Sequence, residues 1–209
     1  MARRSDHTRD ELSELLVDAS TRIITEEGLG GLTARKIASR VGYSSGSVYN
    51  VFSDLDDLIA HVNTRTMQAL SLELKKIRST GEVLTDVKAV LHVYMDFQEK
   101  NPRLWAANIE HAMRQDFDQP DCYTDALDSV IDSVAMVISP ALGNKSDLEV
   151  KFAVRVLWAS LLGISAVPDS AKFLIKGSTN RKLLAEDLVE HYVLGLISKS
   201  GTATPKRSK

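Results

Sequence analysis

A group of small polar side chains in the first quarter of the chain has the chemistry of a hydrogen-bonding surface. Residues 44–47 read Ser-Ser-Gly-Ser, and each serine hydroxyl both donates and accepts hydrogen bonds. The only charged residues between positions 30 and 52 are the cations Arg35, Lys36 and Arg40. Hydroxyl groups close to cations can bind phosphate, although three cations by themselves are more typical of a solvated helix face.

The pattern around these residues predicts two short helices joined by a tight turn. Thr33 can cap a helix over 34–41, Gly42 can end it, and Ser44 or Ser45 can begin a second helix that extends to about residue 51. Helices this short are not stable alone, so both must pack on a first helix that begins at a Thr-x-x-Glu capping box, residues 8–11. The arrangement is a helix-turn-helix, whose second helix enters the major groove of DNA.

Composition and charge allow this interpretation, although the net charge at first argues against it. The chain has 209 residues, 44% of them hydrophobic, and a net charge of −2, whereas nucleic-acid-binding domains are typically basic. The acidic excess lies in residues 53–198, with a net charge of −6, while residues 199–209 carry +4. The single cysteine excludes an intramolecular disulfide and a cysteine-based zinc site. No signal peptide or membrane span is recognisable, which favours the cytoplasm.

Nearly all remaining periodic segments are helical, so we predict an all-α fold. An N-terminal three-helix helix-turn-helix DNA-binding domain over 8–53 is followed by a larger helical domain over 54–198. A flexible basic tail covers 199–209. Aromatic and polar residues in the second domain are candidates for an apolar ligand pocket, although each alone is more typical of an ordinary core. These candidates are Tyr94, Phe97, Trp105, His111, Tyr123 and Trp158.

Enzyme chemistry finds little support in the sequence. The five histidines form no metal-binding motif, and no glycine-rich phosphate loop is present. The stretch 42–46 approaches the Gly-x-Ser-x-Gly pattern, but it links two helices and no strand precedes it. We therefore expect no catalytic residue, metal or cofactor, and we keep an all-helical enzyme as a remote alternative.

Residues 12–59 resemble the DNA-binding domain of the TetR family of bacterial regulators. The matching positions share a fixed register over about a quarter of the chain. They are Glu26-Glu27-Gly28, Leu32-Thr33, Ile37-Ala38, Gly42-Tyr43-Ser44-Ser45-Gly46-Ser47-Val48-Tyr49-Asn50-Val51-Phe52 and Asp57-Leu58-Ile59. One position departs from the pattern: Leu55 stands where the family commonly has a phosphate-binding lysine, and we expect Arg3, Arg4 or Arg9 to compensate.

This resemblance implies a homodimeric transcriptional repressor that binds a near-palindromic double-stranded DNA operator and does not act at a membrane. The resemblance also implies that 54–198 is a ligand-binding and dimerisation domain. A small, apolar effector would release the protein from DNA, with the helix after residue 54 as the lever. A transcriptional activator and a ligand-independent regulator are the alternatives. The expected DNA-binding residues are Thr33, Arg35, Lys36, Tyr43, Ser44, Ser45, Gly46, Ser47, Tyr49 and Asn50. Candidates for the dimer interface are Leu157, Leu161, Ile164, Leu184, Leu188 and Ile197.

Overall fold

The fold is all-α, as the sequence predicts. The computed structural model describes residues 7–114, 118–142, 145–167 and 181–201, and these ranges contain nine α-helices, two short 3-10 helices and no strand. The helices are α1 (Arg9–Glu27), α2 (Ala34–Val41), α3 (Ser45–Tyr49), α4 (Leu55–Leu74), α5 (Val83–Lys100), α6 (Pro102–Ala112), α7 (Asp121–Ile138), α8 (Asp147–Ala166) and α9 (Arg181–Gly201). The predicted tail beyond 201 lies outside the described residues.

Local hydrogen bonds set the ends of the first two helices. The Glu11 amide donates to the Thr8 hydroxyl at 3.2 Å, and the Thr8 amide donates to the Glu11 carboxylate at 2.7 Å, which confirms the capping box. The Thr33 hydroxyl accepts from the Lys36 amide at 3.3 Å and so caps α2. Gly42 ends α2 with φ of 76°, in the left-handed region that only glycine occupies at low cost.

The chain divides into two compact units that do not follow chain order. The first unit comprises Met1–Ala69 and Gln98–Leu127, and the second comprises Leu70–Phe97 and Asp128–Lys209. Helix α6, from the middle of the chain, thus belongs with α1, α2 and α3. Its Arg103 donates to the main-chain oxygen of Thr25 at 3.0 Å and to that of Glu26, at the carboxyl end of α1. The domain boundary that the sequence predicts near residue 54 stays a prediction.

A continuous apolar core holds the helix-turn-helix in the first unit. Ile37 from α2, Val48 from α3 and Leu58 from α4 are each 0% exposed and pack with the α1 side chains. Because α3 has only five residues, it gains its stability from Val48 and the following Phe52 rather than from its own hydrogen bonds.

In the second unit, Asp86 fixes the connection between α4 and α5. It is 2% exposed, and it accepts hydrogen bonds from the Ser79 hydroxyl at 2.6 Å and from the Thr80 amide and hydroxyl at 2.8 and 2.7 Å. These bonds lower the pKa of Asp86 to about 2, and the bond from the Ser79 hydroxyl contributes most to the shift. The carboxylate is therefore ionised at neutral pH and organises the loop around it.

Candidate nucleic-acid interface

Helix α3 turns its small polar residues outward and its one apolar residue inward. Val48 is fully buried, whereas Ser45 and Gly46 are exposed and Tyr49 is 52% exposed. Ser44, which precedes the helix, bonds to the Ser47 hydroxyl at 3.0 Å and does not bond to an amide of the first turn. The amides at the start of α3 and the adjacent hydroxyls therefore form a surface that can accept an anion or a base edge.

The cations on α2 differ in whether they form ion pairs with nearby carboxylates. Arg35 is exposed and has no hydrogen bond or ion pair within the described ranges. Lys36 forms an ion pair with Glu27, and Arg40 pairs with Glu26, with Nη1 to Oε1 at 3.1 Å. Hydrogen bonds from Arg40 hold the pKa of the Glu26 carboxyl below its usual range. Carboxylates of α1 therefore neutralise part of the positive charge that the sequence places between residues 30 and 52.

Two other predicted DNA-binding residues have defined structural partners. Thr33 is exposed but its hydroxyl caps α2. Tyr43 is half-buried, and its hydroxyl lies 2.7 Å from Nδ1 of His7. Asn50 is exposed at the carboxyl end of α3. All ten predicted DNA-binding residues lie on α2, on α3 or next to them, in one compact unit, and their contact with DNA stays a prediction.

The departure from the family pattern at Leu55 has a structural basis. Leu55 is half-buried and packs against the core of the first unit. The neighbouring acids cap α4: the Asp54 carboxylate accepts from the Asp57 amide at 2.8 Å, and Asp57 accepts from the Ser53 amide at 2.9 Å. Asp56 pairs with Arg114, Nη1 to Oδ1 at 2.5 Å. The start of α4 therefore presents carboxylates and an apolar residue rather than a phosphate-binding cation.

A predominantly apolar cavity of about 40 Å³ lies within the second unit and includes two of the predicted effector-binding residues. The rings of Tyr94 and Trp158 meet edge to face, with centroids 5.6 Å apart. The Tyr94 hydroxyl lies 3.4 Å from the Ser165 hydroxyl. The remaining lining is aliphatic: Leu74, Val87, Val90, Leu91, Val130, Val134, Val154, Leu157, Leu161 and Val189.

The other predicted effector-binding residues do not line this cavity. Phe97 is half-buried and lies in the same unit, whereas Trp105, His111 and Tyr123 are buried in the first unit. Burial lowers the pKa of His111 and raises that of Tyr123, whose hydroxyl donates to Asn108 at 3.4 Å. The structure thus separates the six candidates into two groups.

The aliphatic lining residues were not identified from the sequence, because valine and leucine at helical spacing have no signature that separates a cavity from a core. In the described ranges, no group of three or more metal-ligating side chains occurs. Within the same ranges, no helix is long and apolar enough to cross a membrane.

Comparisons with known proteins agree with this geometry. The family model described as bacterial regulatory proteins, tetR family, matches residues 16–62, which cover most of α1, all of α2 and α3, and the start of α4. The nucleoid occlusion factor SlmA of Actinobacillus pleuropneumoniae serotype 5b (strain L20) is 28% identical over 97 residues. That match covers 46% of this chain and 48% of SlmA, so the chain spans about half the length of the curated relatives that it matches.

Two solved structures extend the similarity of fold over about nine-tenths of the chain. A TetR transcriptional regulator from Rhodococcus sp. RHA1 has a TM-score of 0.66 at 17% identity, covering 90% of this chain and 97% of its own. SmeT, the repressor of the Stenotrophomonas maltophilia multidrug efflux pump SmeDEF, has a TM-score of 0.56 at 22% identity and covers 89% and 90%. Residues 16–62 thus match the tetR family model, and the fold is similar to that of both solved structures.

Proposed function

We propose that the chain is a transcriptional repressor that binds a near-palindromic operator as a homodimer and leaves it when a small apolar effector binds. The observation that carries this proposal is the orientation of α3. Its hydroxyl-bearing residues face outward, while Val48 anchors the helix to the core. A surface of small hydrogen-bonding groups fits a groove about 12 Å wide, whereas a catalytic site needs a base or a metal beside the hydroxyl.

Ser45, Ser47 and Asn50 are the residues that we assign to base edges, because they lie on or next to α3 and carry both donors and acceptors. Arg35 is assigned to a phosphate, because it is exposed and unpaired in the described ranges at the start of α2. Lys36 contributes less, since Glu27 neutralises part of its charge.

A homodimer follows from the size of α3. Five residues span about 7.5 Å, so one copy contacts only a few base pairs. Two copies related by a two-fold axis would read two half-sites separated by about 34–36 Å or a multiple of that distance. The dimer surface that we propose consists of exposed apolar residues of α8 and α9: Leu148, Phe152, Leu183, Leu184 and Leu194. Of the candidates from the sequence, Leu157 and Leu161 are 5% and 9% exposed and line the cavity instead.

The effector site that we propose is the cavity beside Tyr94 and Trp158. Its lining carries no ionisable acid or base other than the tyrosine, which favours a neutral, apolar ligand. Sites for drug-sized molecules measure about 300–1,000 Å³. Because this cavity measures about 40 Å³, a larger effector must displace side chains, Trp158 among them. A coupling of about 1–3 kcal/mol between this displacement and DNA binding suffices for regulation.

The test combines DNA binding in solution with transcription in the cell. Fluorescence anisotropy with the DNA upstream of the gene should show binding that exceeds binding to a scrambled duplex at moderate salt. Deleting the gene should then raise transcription from that promoter. Equal affinity for both duplexes would refute the regulator, and a fall in transcription after deletion would indicate an activator instead.

A further inference from the structure

The beginning of α1 contacts the chain on both sides of the recognition helix. Nη2 of Arg9 donates to the main-chain oxygen of Val51 at 3.2 Å, just after α3. Nδ1 of His7 lies 2.7 Å from the Tyr43 hydroxyl, just before α3. All four residues belong to the first compact unit. The guanidinium of Arg9 is therefore held beside the carboxyl end of the helix that we assign to the major groove.

This position matters because the first turn of α4 brings no cation to that end of α3. Leu55 packs against the core, and Asp54 and Asp57 accept amide hydrogen bonds as caps. Each carboxylate repels a phosphate that approaches the carboxyl end of α3. A DNA strand that passes there needs a positive charge from another part of the chain, and Arg9 is exposed at this place.

The chemistry of arginine suits both contacts at once. A guanidinium has five N–H donors in a rigid fork, and the bond to Val51 uses one of them. The remaining donors can bind phosphate oxygens, and the carbonyl restricts the side chain before DNA arrives, which reduces the entropy lost on binding. We propose that Arg9 binds a DNA phosphate beside the carboxyl end of α3 and takes the place of the cation missing at Leu55. This proposal rests on the function proposed above.

The experiment measures operator affinity against salt concentration for wild type, Arg9→Ala and Arg22→Ala. Arg22 is an exposed arginine on the same helix, about 20 Å further along, so its removal changes the net charge equally. Loss of a phosphate contact reduces the salt slope by about 0.9 for each bound copy. The ratio of the Arg9→Ala dissociation constant to that of wild type should therefore fall by about 3.5-fold per copy between 50 and 200 mM salt.

Arg22→Ala should leave the salt slope unchanged, and Arg9→Lys should keep the slope while binding more weakly, since lysine lacks the fork. Thermal denaturation verifies that Arg9→Ala is folded. The proposal is overturned if Arg9→Ala has the same slope as wild type, because Arg9 then caps only the Val51 carbonyl. If wild type itself shows no sequence-preferring binding, the proposed function fails, which is a different result.

Discussion

Replacing Val48 with alanine should loosen the recognition helix and leave its outward surface chemically unchanged. The side chain is 0% exposed and is the one buried residue of α3. The substitution removes the equivalent of two buried methylene groups, which costs about 1.6 kcal/mol of unfolding free energy at ~0.8 kcal/mol each. A cavity that does not collapse adds up to about 1 kcal/mol. The expected loss is therefore about 2 kcal/mol.

DNA affinity should fall as well, because a five-residue helix without its anchor is folded for only part of the time. Apparent affinity scales with the fraction of competent molecules, and a change of about 1.4 kcal/mol at α3 corresponds to tenfold weaker binding. Urea denaturation gives the stability, and anisotropy under native conditions gives the affinity. The control is Tyr49→Phe, at an exposed neighbouring position, which should change stability by less than about 0.5 kcal/mol. A Val48→Ala variant as stable as wild type would refute the assignment of Val48 as the anchor.

Four further perturbations test separate parts of the structure. Asp86→Asn should remove a stabilising contribution that is complete above the ordinary pKa of 3.8 and is lost as pH falls through about 2, so melting temperatures of wild type and variant should converge across that window. Equal melting temperatures of wild type and variant at neutral pH would contradict the stabilising role of the Asp86 carboxylate. Glu27→Gln should free Lys36 from its ion pair and tighten DNA binding a few-fold at low salt. Fluorescence anisotropy measures this affinity, and an unchanged affinity would contradict the expectation. Arg35→Ala should reduce the salt slope by about 0.9 per copy, and an unchanged slope would place Arg35 away from the phosphates. Val154→Phe should fill the cavity, so an apolar dye that quenches tryptophan fluorescence in wild type should no longer do so in the variant. Quenching that persists in the variant would show that the dye binds elsewhere.

The sequence predicted the helix-turn-helix well because its signals are local. Thr8 and Thr33 occupy cap positions whose hydrogen bonds are made within three residues, and Gly42 is needed where the backbone turns left-handed. Buried positions such as Ile37 and Val48 follow from helical spacing. Each of these features depends on neighbours in the chain, so no knowledge of the tertiary structure is required.

The features that the sequence did not reveal all depend on contacts between distant residues. Lys36 looks like a free cation until Glu27, nine residues away, is placed beside it. Trp105 and Trp158 look alike in the sequence, but the two compact units divide them, because the segment 98–127 joins the first unit. The contact of Arg9 with Val51 spans 42 positions. Pairings of this kind are set by how the helices pack, and no local pattern encodes them.

The most direct test of the central claim is a selection of DNA sequences from a random duplex library by the purified full chain. The expected result is an enriched near-palindrome with half-sites one helical turn or more apart, about 10–10.5 base pairs from centre to centre or a multiple of this spacing. Ser45→Asn should change the preferred bases, whereas Arg35→Ala should weaken binding and keep the motif. No enrichment by wild type, or the same motif after changes across α3, would contradict the claim that this helix reads DNA.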